Sequence, residues 1–289
     1  MKYTDLSDAD CAIAQALGVV GEWWSLLVIR DVAGGAHRFD DLQAGLGISR
    51  KVLTQRLGTL VEHGVLERRG YSEHPPRHEY HLTEKGRGLL PVLVALQDWG
   101  TRHLMGDGSL TATSAATSAE ARRVHELVGR RLEPAALPGH DGTLTDPVGS
   151  TRRTVLYCFP GADVPGSGFY PPGWGEIPGA AGCTLESTTY RDRHPDFVAA
   201  GVTVRGVSTQ RPDQLRGFAA HAGLPFTLLS DAELELAGSL RLPTFRAGGA
   251  DRLKRLTLLV NRDRVVEAVL FPITDPAGSV DQALALASS

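Results

Sequence analysis

The sequence predicts two domains of different classes, a mostly helical domain followed by an α/β domain. Its 289 residues suit two domains of ordinary size. Residues 1–105 are dense in helical periodicity, whereas after residue 150 short β-branched runs such as VTVRGVS and LTLLV alternate with helical segments. We therefore expect one domain over residues 1–105 and a second, with a mixed sheet, over residues 151–289.

A segment rich in Gly, Ser, Thr, Ala and Pro separates these two regions. Residues 106–150 include GDGSLTATSAATSAE and LEPAALPGHDGTLTDPVGS, and such compositions are typical of linkers. Within this segment the spacing predicts one amphipathic helix over residues 118–132. Its apolar side would consist of Val124, Leu127, Val128 and Leu132.

The composition excludes several classes of protein. Hydrophobic residues make up 42% and charged residues 22%, as in ordinary soluble globular proteins. No apolar run is long enough to span a membrane, and the first residues lack a secretory signal, so we expect a cytoplasmic protein with no membrane partner. Three cysteines fit a reducing compartment. No phosphate loop, dinucleotide fingerprint or nucleophile elbow occurs, so we expect no cofactor.

The first domain is predicted to contain a helix-turn-helix. Three helices are expected at about residues 8–19, 22–33 and 39–45, and a fourth begins after Ser49, a good N-cap residue. The buried stripe of the fourth helix would consist of Leu53, Leu57, Leu60 and Val61. Its opposite face carries Arg50, Lys51, Thr54 and Gln55. A short helix, a turn and a helix with a basic outer face is the arrangement that enters a DNA major groove.

A hairpin is predicted directly after this helix. Two extended segments in VLERRGYSEHPPRHEYHLT flank a Pro-Pro turn and carry Arg68, Arg69 and Arg77. Residues 49–87 hold eight basic and five acidic residues, a net +3, whereas residues 1–48 hold three and seven, a net −4. The positive charge thus coincides with the predicted DNA-contacting elements, which together form a winged helix-turn-helix. The alternative is a solvated surface with ordinary arginines.

Three histidines of the predicted hairpin, His74, His78 and His81, suggest a metal site at first sight. Successive residues of a strand alternate sides, so His78 and His81 would face opposite ways. No cysteine accompanies them. We therefore expect no metal site.

The first domain resembles the HxlR family of bacterial transcription regulators. The resemblance is carried by CAIAQALGVVGEWWSLLVIRDV, RFDDLQAGLGISRKVLTQRLGTLVEHGVLERR and PPRHEYHLTEKGRGLLPVLVALQDWG. It implies a homodimer on a two-fold symmetric double-stranded DNA operator. It also implies that the first helix and a long helix over residues 83–103 form much of the dimer interface. That long helix carries an apolar stripe of Leu89, Leu93, Leu96 and Trp99, and we expect Pro91 to kink it.

Cys11 is a candidate redox sensor. It lies at the predicted start of the first helix, where the helix N-terminus favours a thiolate. The HxlR resemblance implies the same role, because several regulators of that family carry a sensing cysteine at this position. The alternative role for Cys11 is that of a small packing residue in the dimer contact.

Cys183 is the candidate reactive residue of the second domain. A buried strand ends at Phe159-Pro160, a Pro/Gly-rich loop follows, and Cys183 comes just before a helix expected over residues 184–197. Free backbone N–H groups in the first turn of a helix stabilise a thiolate. Arg191 and Arg255 are the basic residues that could lie beside the sulfur.

The second domain resembles peroxiredoxins of the bacterioferritin-comigratory and alkyl-hydroperoxide-reductase group, which have a thioredoxin-like fold. The matching pieces are YCFP, GCTLE, YRD, GVSTQ, LPFTLLSD and KRLTLLV. By position, the resemblance implies that Cys183 is the peroxidatic cysteine. It also implies that Arg255 polarises the peroxide and that Arg191 lies in the accompanying helix.

The sequence departs from the peroxiredoxin pattern at three positions. Ala180 replaces the threonine that helps to bind peroxide, Glu176 occupies the proline position, and Thr188 stands where a resolving cysteine is often found. An oxidised Cys183 would then need another thiol. Cys11 remains as that partner, since Cys158 lies in an apolar strand.

Three functions follow as hypotheses. The first is a homodimeric regulator, a repressor, whose second domain senses oxidant or electrophile through Cys183, with a relay to Cys11. The second is a thiol peroxidase tethered to a DNA-binding domain and reduced by thioredoxin or a low-molecular-weight thiol. The third is a regulator whose degenerate redoxin domain binds another ligand.

Overall fold

A computed structural model of the chain describes residues 10–74, 76–166 and 168–289. The chain divides into two compact units, residues 1–93 and 94–289, and the division falls inside one helix. The predicted first residues of the opening helix, 8 and 9, lie outside the described residues. Among the described residues no single helix is long and apolar enough to cross a membrane; the first two helices meet that test only together, and they are bent by 72°.

The first unit consists of short helices and one hairpin. In chain order the elements are α1 (Ala12–Val20), α2 (Trp23–Ala33), α3 (Phe39–Leu46), α4 (Arg50–Glu62), β1 (Leu66–Glu73), β2 (Pro76–Leu82) and α5 (Glu84–Arg87). The strands β1 and β2 pair antiparallel, with an irregularity between Gly70 and Ser72. This is the predicted winged helix-turn-helix architecture.

The start of α4 follows from local chemistry. Gly47 has a positive φ of 62°, which ends α3 without a steric penalty. Ser49 then caps α4, because its hydroxyl accepts a hydrogen bond from the Val52 N–H at 3.3 Å. Leu53, Leu57 and Leu60 are fully buried in the core of the first unit, where α4 packs on α2 and β1. The opposite face of α4 is therefore left to solvent.

The helix expected over residues 83–103 is interrupted. The structure has α5 and then a separate helix, α6 (Leu90–His103), with Pro91 in its first turn. A proline at this position needs no N–H partner, whereas inside a continuous helix its ring would clash with the carbonyl four residues earlier. Leu89 and Leu93 pack on the core of the first unit, but Leu96 and Trp99 are exposed.

The second unit is built on a five-stranded mixed sheet in the order β11-β10-β5-β6-β7. Its elements after α6 are α7 (Ala119–His125), β3 (Leu137–Pro138), β4 (Leu144–Thr145), β5 (Arg153–Cys158), α8 (Cys183–Ala199), β6 (Val202–Ser208), α9 (Pro212–Ala222), β7 (Leu228–Ser230), α10 (Glu235–Leu240), β8 (Thr244–Ala247), β9 (Ala250–Leu253), β10 (Leu256–Asn261), β11 (Val266–Leu270) and α11 (Gly278–Ser288). Strands β5, β6 and β7 are parallel, and β10 is antiparallel to both β5 and β11. This is the α/β thioredoxin-like fold that was predicted.

Both faces of the central strand β5 are covered. Val155 and Tyr157 point to one side, where α8, α9 and α11 pack. Leu156 and Cys158 point to the other side, which is covered by α7, α10 and apolar residues of the segment 127–148. The sequence of a parallel strand that is covered by helices on both faces is a continuous apolar run, as TVLYCF is here.

The segment expected to be a linker belongs to the second unit. Residues 106–150 lie within that unit, and Val124, Leu127, Leu132 and Leu137 are part of its core. The reason is that the even-numbered side chains of β5 need an apolar cover. The helix expected over 118–132 is shorter, Ala119–His125, and Val128 is exposed.

Candidate functional site

Cys183 is the first residue of α8. The preceding Gly182 has a φ of 99°, and a Cβ there would lie 2.7 Å from Pro276, so a glycine is required at this entry to the helix. The N–H groups in the first turn of a helix have no partner within that helix, and Cys183 lies in this turn of α8. The side chain of Cys183 is almost completely buried, with 2% exposed. Its Sγ lies 3.6 Å from the Ala180 carbonyl oxygen, to which the thiol donates.

Arg255 is brought to this sulfur by the sheet. It precedes β10, whose antiparallel pairing places Leu256 beside Cys158 at the end of β5. Its Nη2 lies 3.3 Å from Cys183 Sγ and donates to the Ala181 carbonyl at 2.9 Å. Its Nη1 is paired with the carboxylate of Glu186. The sulfur, the guanidinium and the carboxylate thus form a buried triad, Cys183–Arg255–Glu186.

Burial dominates the electrostatics of this triad. It raises the pKa of the Cys183 thiol; the charge of Arg255 opposes that increase, and the charge of Glu186 adds to it. Burial also raises the pKa of Glu186, to about 7, although Arg255 lowers it. The raised pKa of the thiol means that the neutral form of Cys183 prevails at neutral pH.

Arg191 does not reach the sulfur. It lies on α8 eight residues after Cys183, which is about 12 Å along the helix. Its guanidinium pairs with Asp192 and donates to the Ala222 carbonyl, both at 2.8 Å. The second arginine near Cys183 is instead Arg252, which is buried and donates to the Ala247 carbonyl at 3.2 Å. Burial lowers the pKa of Arg252, and the anionic form of Cys183 opposes that decrease.

Aromatic residues of the insertion between β5 and α8 surround Arg252. Its guanidinium carbon lies 4.5 Å from the ring centre of Phe169 and 4.8 Å from that of Trp174. Tyr170 stacks on Trp174 at 5.1 Å, and its hydroxyl donates to the Gly161 carbonyl at 3.4 Å. Burial, with a contribution from the Cys183 anion, raises the pKa of Tyr170 to about 12.

The candidate DNA-contacting residues of α4 and its N-cap are all exposed. They are Ser49, Arg50, Lys51, Thr54 and Gln55. Arg50 has several intramolecular partners: its Nη1 lies 3.4 Å from Asp40 and 3.2 Å from Gln43, and its guanidinium lies over Phe39. Lys51 and Gln55 have no side-chain partner among the described residues, which leaves their polar groups for an external partner.

The hairpin carries the other candidate DNA-contacting residues. Arg68, Arg69 and Arg77 are exposed on β1 and β2. Arg69 pairs with Glu67, whereas Arg68 and Arg77 have no side-chain partner among the described residues. Together with α4, the hairpin gives the first unit a surface rich in hydrogen-bond donors.

Comparison with known proteins relates the first unit to transcription regulators. A family model described as HxlR-like helix-turn-helix matches residues 19–107. An HTH-type transcriptional regulator of Synechocystis is 41% identical over 92 residues, which cover 32% of this chain and 68% of the relative. One of Methanothermobacter thermautotrophicus is 36% identical over 99 residues, or 33% of this chain and 76% of the relative. The chain belongs to the HxlR-like helix-turn-helix family.

A regulator of Mycobacterium tuberculosis shares a higher identity with the HxlR-like unit. It is 46% identical over 93 residues, which cover 32% of this chain. The chain spans 59% of the length of that mycobacterial relative.

The second unit has its own family match. A model described as the AhpC/TSA family matches residues 177–269, a range that includes Cys183 and Arg255. A peroxidoxin structure from Mycobacterium tuberculosis covers 55% of this chain and 95% of its own, with 24% identity and a TM-score of 0.46. A Xanthomonas campestris peroxiredoxin Q structure covers 54% and 94%, with 24% identity and a TM-score of 0.43.

The three cysteines are free thiols in different surroundings. Cys11 is the exposed N-cap residue of α1 in the HxlR-like unit, whereas Cys158 and Cys183 are buried in the second unit. Cys158 lies in β5, and burial raises its pKa far above the usual range. No group of three His, Cys, Asp or Glu side chains suited to a metal occurs within residues 10–74, 76–166 and 168–289.

Two functional residues near Cys183 were not predicted from the sequence. Glu186 follows Cys183 by three residues, so it shares a face of α8 with the cysteine, and this spacing could have identified it. Arg252 precedes Arg255 by three residues in the basic run DRLKR. Nothing in the sequence indicates that Tyr170 lies close to the sulfur, because an irregular insertion positions it.

We predict that Glu186→Gln makes Cys183 more reactive. Above pH 7 the wild-type Glu186, with a pKa of about 7, is mostly ionised. Removal of this buried anion leaves the charge of Arg255 uncompensated, so the pKa of Cys183 should fall, and alkylation by iodoacetamide at about pH 8.5 should become about tenfold faster. The measurement is the alkylation rate against pH in a Cys11→Ser background, where the variant's profile should move to lower pH. Glu176→Gln, an exposed charge change in the insertion, serves as the control. An unchanged rate in Glu186→Gln would refute this electrostatic role.

Proposed function

We propose that this HxlR-like chain is a homodimeric DNA-binding repressor whose second unit senses oxidant or electrophile through Cys183. The observation that supports it best is the buried triad Cys183–Arg255–Glu186. Arg255 contacts the sulfur at 3.3 Å and can stabilise a thiolate, yet burial and Glu186 keep the resting thiol neutral. A thiol held in this way suits a slow single oxidation better than repeated turnover.

Family membership and the exposed surface of α4 support DNA binding. In a helix-turn-helix the second helix lies in the major groove, and α4 occupies that place in the unit. The side-chain amide of Gln55 can form two hydrogen bonds with adenine, and the ammonium group of Lys51 can pair with a phosphate. The hairpin arginines Arg68 and Arg77 would contact the DNA backbone or the minor groove.

Exposed apolar side chains support a homodimer. Ile13 and Leu17 on α1 are 73% and 51% exposed, and Leu96 and Trp99 on α6 are each 52% exposed. Large exposed apolar side chains commonly indicate interaction surfaces, and each unit carries such a pair. A two-fold dimer would match a two-fold symmetric operator.

The redox step is the attack of the Cys183 thiolate on a hydroperoxide. An S–O bond forms between the sulfur and the terminal OH of the peroxide while the O–O bond breaks, so the sulfur is oxidised to a sulfenic acid. The leaving alkoxide or hydroxide takes up a proton and becomes an alcohol or water. Arg255 would stabilise the thiolate and the developing negative charge on the leaving oxygen. Ala180 provides no hydroxyl to assist, which is consistent with slow chemistry.

A relay to Cys11 would complete the response. The Cys11 thiol condenses with the sulfenic acid, a disulfide forms and water leaves. Because Cys183 is buried, this step requires the insertion over the sulfur to open. Thioredoxin or a low-molecular-weight thiol then reduces the disulfide by exchange and becomes oxidised itself.

Fluorescence anisotropy with DNA from the gene's own upstream region tests this proposal. Reduced and peroxide-treated protein are titrated at one fixed salt concentration. We expect oxidation to weaken binding by tenfold or more, about 1.4 kcal/mol, and a reductant to reverse it. Cys183→Ser should remove the response. Binding that ignores peroxide in the wild-type chain would exclude the sensor.

Peptide mapping under non-reducing conditions tests the relay separately. After peroxide treatment we expect a disulfide between the peptides that contain Cys11 and Cys183. Cys11→Ser should leave a sulfenic acid at Cys183 that dimedone traps. Oxidised Cys183 together with a free Cys11 in the wild-type chain would exclude the relay.

A thiol peroxidase tethered to the DNA-binding unit is the second candidate function. The contact between Arg255 and Cys183 favours it, because the same pair would polarise a bound peroxide. Repeated turnover distinguishes the peroxidase from the sensor. An enzyme consumes peroxide repeatedly with thioredoxin and its reductase, whereas a sensor is oxidised once.

A further inference from the structure

The second unit contains a cavity of about 500 Å³ that the chemistry at Cys183 does not use. It is lined by the C-terminal half of α6, the chain that follows, the start of α7, and Phe245 and Lys254. Cavities of this size bind small organic molecules. Its apolar lining includes Met105, Leu110 and Phe245.

One end of the cavity is a closed polar network. Lys254 Nζ lies 2.7 Å from the Glu120 carboxylate, and both side chains are at most 5% exposed. Lys254 also donates to the Thr113 carbonyl at 3.2 Å and to the Ser114 hydroxyl at 3.3 Å. These charges compensate each other and offer little to a charged ligand.

The carboxylate of Asp98 is different. It lines the same cavity and has no hydrogen-bond or ion-pair partner among the described residues. Arg102 is engaged elsewhere, since its Nε donates to the Gly108 carbonyl at 2.6 Å, and Asp107 accepts from the Ser109 N–H and hydroxyl. Burial raises the pKa of Asp98, and the positive charges of Lys254 and Arg102 oppose that increase without pairing directly with the carboxylate.

A second polar group of the lining also lacks a partner. The Thr113 Oγ1 is buried and has no hydrogen-bond partner among the described residues. A buried hydroxyl without a partner is destabilising, and a ligand group that bonded to it would remove that cost. The cavity thus combines an apolar wall, one carboxylate without a direct hydrogen-bond or ion-pair partner, and one hydroxyl without a partner.

We propose that this cavity binds a small amphipathic organic cation. Its apolar body would lie against Leu110 and Phe245, and its ammonium group would pair with Asp98. Thr113 would supply a further hydrogen bond. This site gives the protein a ligand-binding function that is independent of Cys183.

Calorimetric titration of the full-length chain with three probes of matched shape tests the proposal. The probes are 1-naphthylmethylammonium, 1-naphthalenemethanol and 1-naphthoate, at one pH near 7.5 and one salt concentration. We expect the ammonium to bind about tenfold more tightly than the alcohol, equivalent to about 1.4 kcal/mol, and the carboxylate to bind most weakly. Asp98→Asn should remove the preference for the ammonium and leave the affinity of the alcohol unchanged.

Two control variants make this result decisive. Asp107→Asn removes an exposed carboxylate of the same lining and should keep the ammonium preference. Cys183→Ser should bind all three probes as the wild-type chain does, which separates this site from the redox proposal. Equal affinities for the ammonium and the alcohol, an unaltered preference in a folded Asp98→Asn variant, or no saturable binding up to millimolar concentrations would each overturn the proposal.

Discussion

Replacing Arg255 with methionine and Glu186 with glutamine in the same chain is expected to slow oxidation of Cys183 by about 100-fold. The guanidinium is the only positive group within hydrogen-bond distance of Sγ among the described residues, at 3.3 Å. Without it the burial that raises the pKa of the thiol loses its strongest opposing charge, and the leaving oxygen loses its stabilising charge. The rate of sulfenic acid formation with hydrogen peroxide, followed by dimedone trapping, measures the effect.

The double substitution avoids a folding artefact. Arg255→Met alone would leave the buried carboxylate of Glu186 without its partner, a change that typically costs about 3–5 kcal/mol. Methionine with glutamine replaces the ion pair by a neutral pair of similar size. Glu186→Gln alone is the matched control, and it should accelerate oxidation. If the double variant, folded by circular dichroism, reacted as fast as Glu186→Gln, Arg255 would have no role in the chemistry.

The sequence predicted part of this site and missed part of it. Cys183 was identified because it precedes a helix, and Arg255 because its motif resembles that of a peroxiredoxin. Their contact at 3.3 Å depends on the pairing of β10 with β5, which brings together residues 72 positions apart. Glu186 is close in sequence, but its effect comes from burial, and burial depends on the whole packed unit.

Arg191 shows that a residue close to Cys183 in the sequence need not lie close to it in the folded protein. It is nearer to Cys183 in the chain than Arg255 is, yet a helix of eight further residues carries it about 12 Å away. Arg252 lies in β9, and its Nη1 donates to the carbonyl of Pro160, just beyond the end of β5, at 3.5 Å. Such long-range placements follow from strand pairing and not from local spacing.

The supposed linker shows how composition can mislead. Residues 106–150 are rich in small and polar residues, which favoured a flexible connection. The apolar residues Val124, Leu127 and Leu132 are few, but they cover one face of β5. Whether a few apolar residues are exposed or buried depends on the part of the chain against which they pack. Here that part is β5, which the local sequence of residues 106–150 does not include.

The helix-turn-helix was predicted more completely because its signals are local. The cap at Ser49, the glycine at Gly47 and the leucines of α4 all lie within 14 residues. The side-chain contacts of Arg50 were not predicted. Its pairing with Asp40 and Gln43 joins α3 to α4, so it holds the two helices together as well as facing solvent.

Combined substitution of Lys51 and Gln55 by alanine is expected to weaken operator binding strongly. Both side chains are exposed on α4 and have no partner among the described residues, so their loss should not disturb the fold. Loss of a base contact costs about 1–3 kcal/mol, and loss of a phosphate contact lowers the salt slope by about one. Because the proposed two-fold dimer would present each residue twice, we expect at least about 100-fold weaker binding.

The two single variants separate base readout from charge. Lys51→Ala should weaken binding to all DNA sequences about equally and flatten the dependence of log Kd on log salt. Gln55→Ala should leave that dependence unchanged and reduce discrimination between the operator and a variant at one base pair. Arg130→Ala, which removes an exposed charge in the second unit, is the charge-matched control. Anisotropy titrations at three salt concentrations distinguish these outcomes, and equal loss of slope in Lys51→Ala and Arg130→Ala would mean that α4 does not enter the groove.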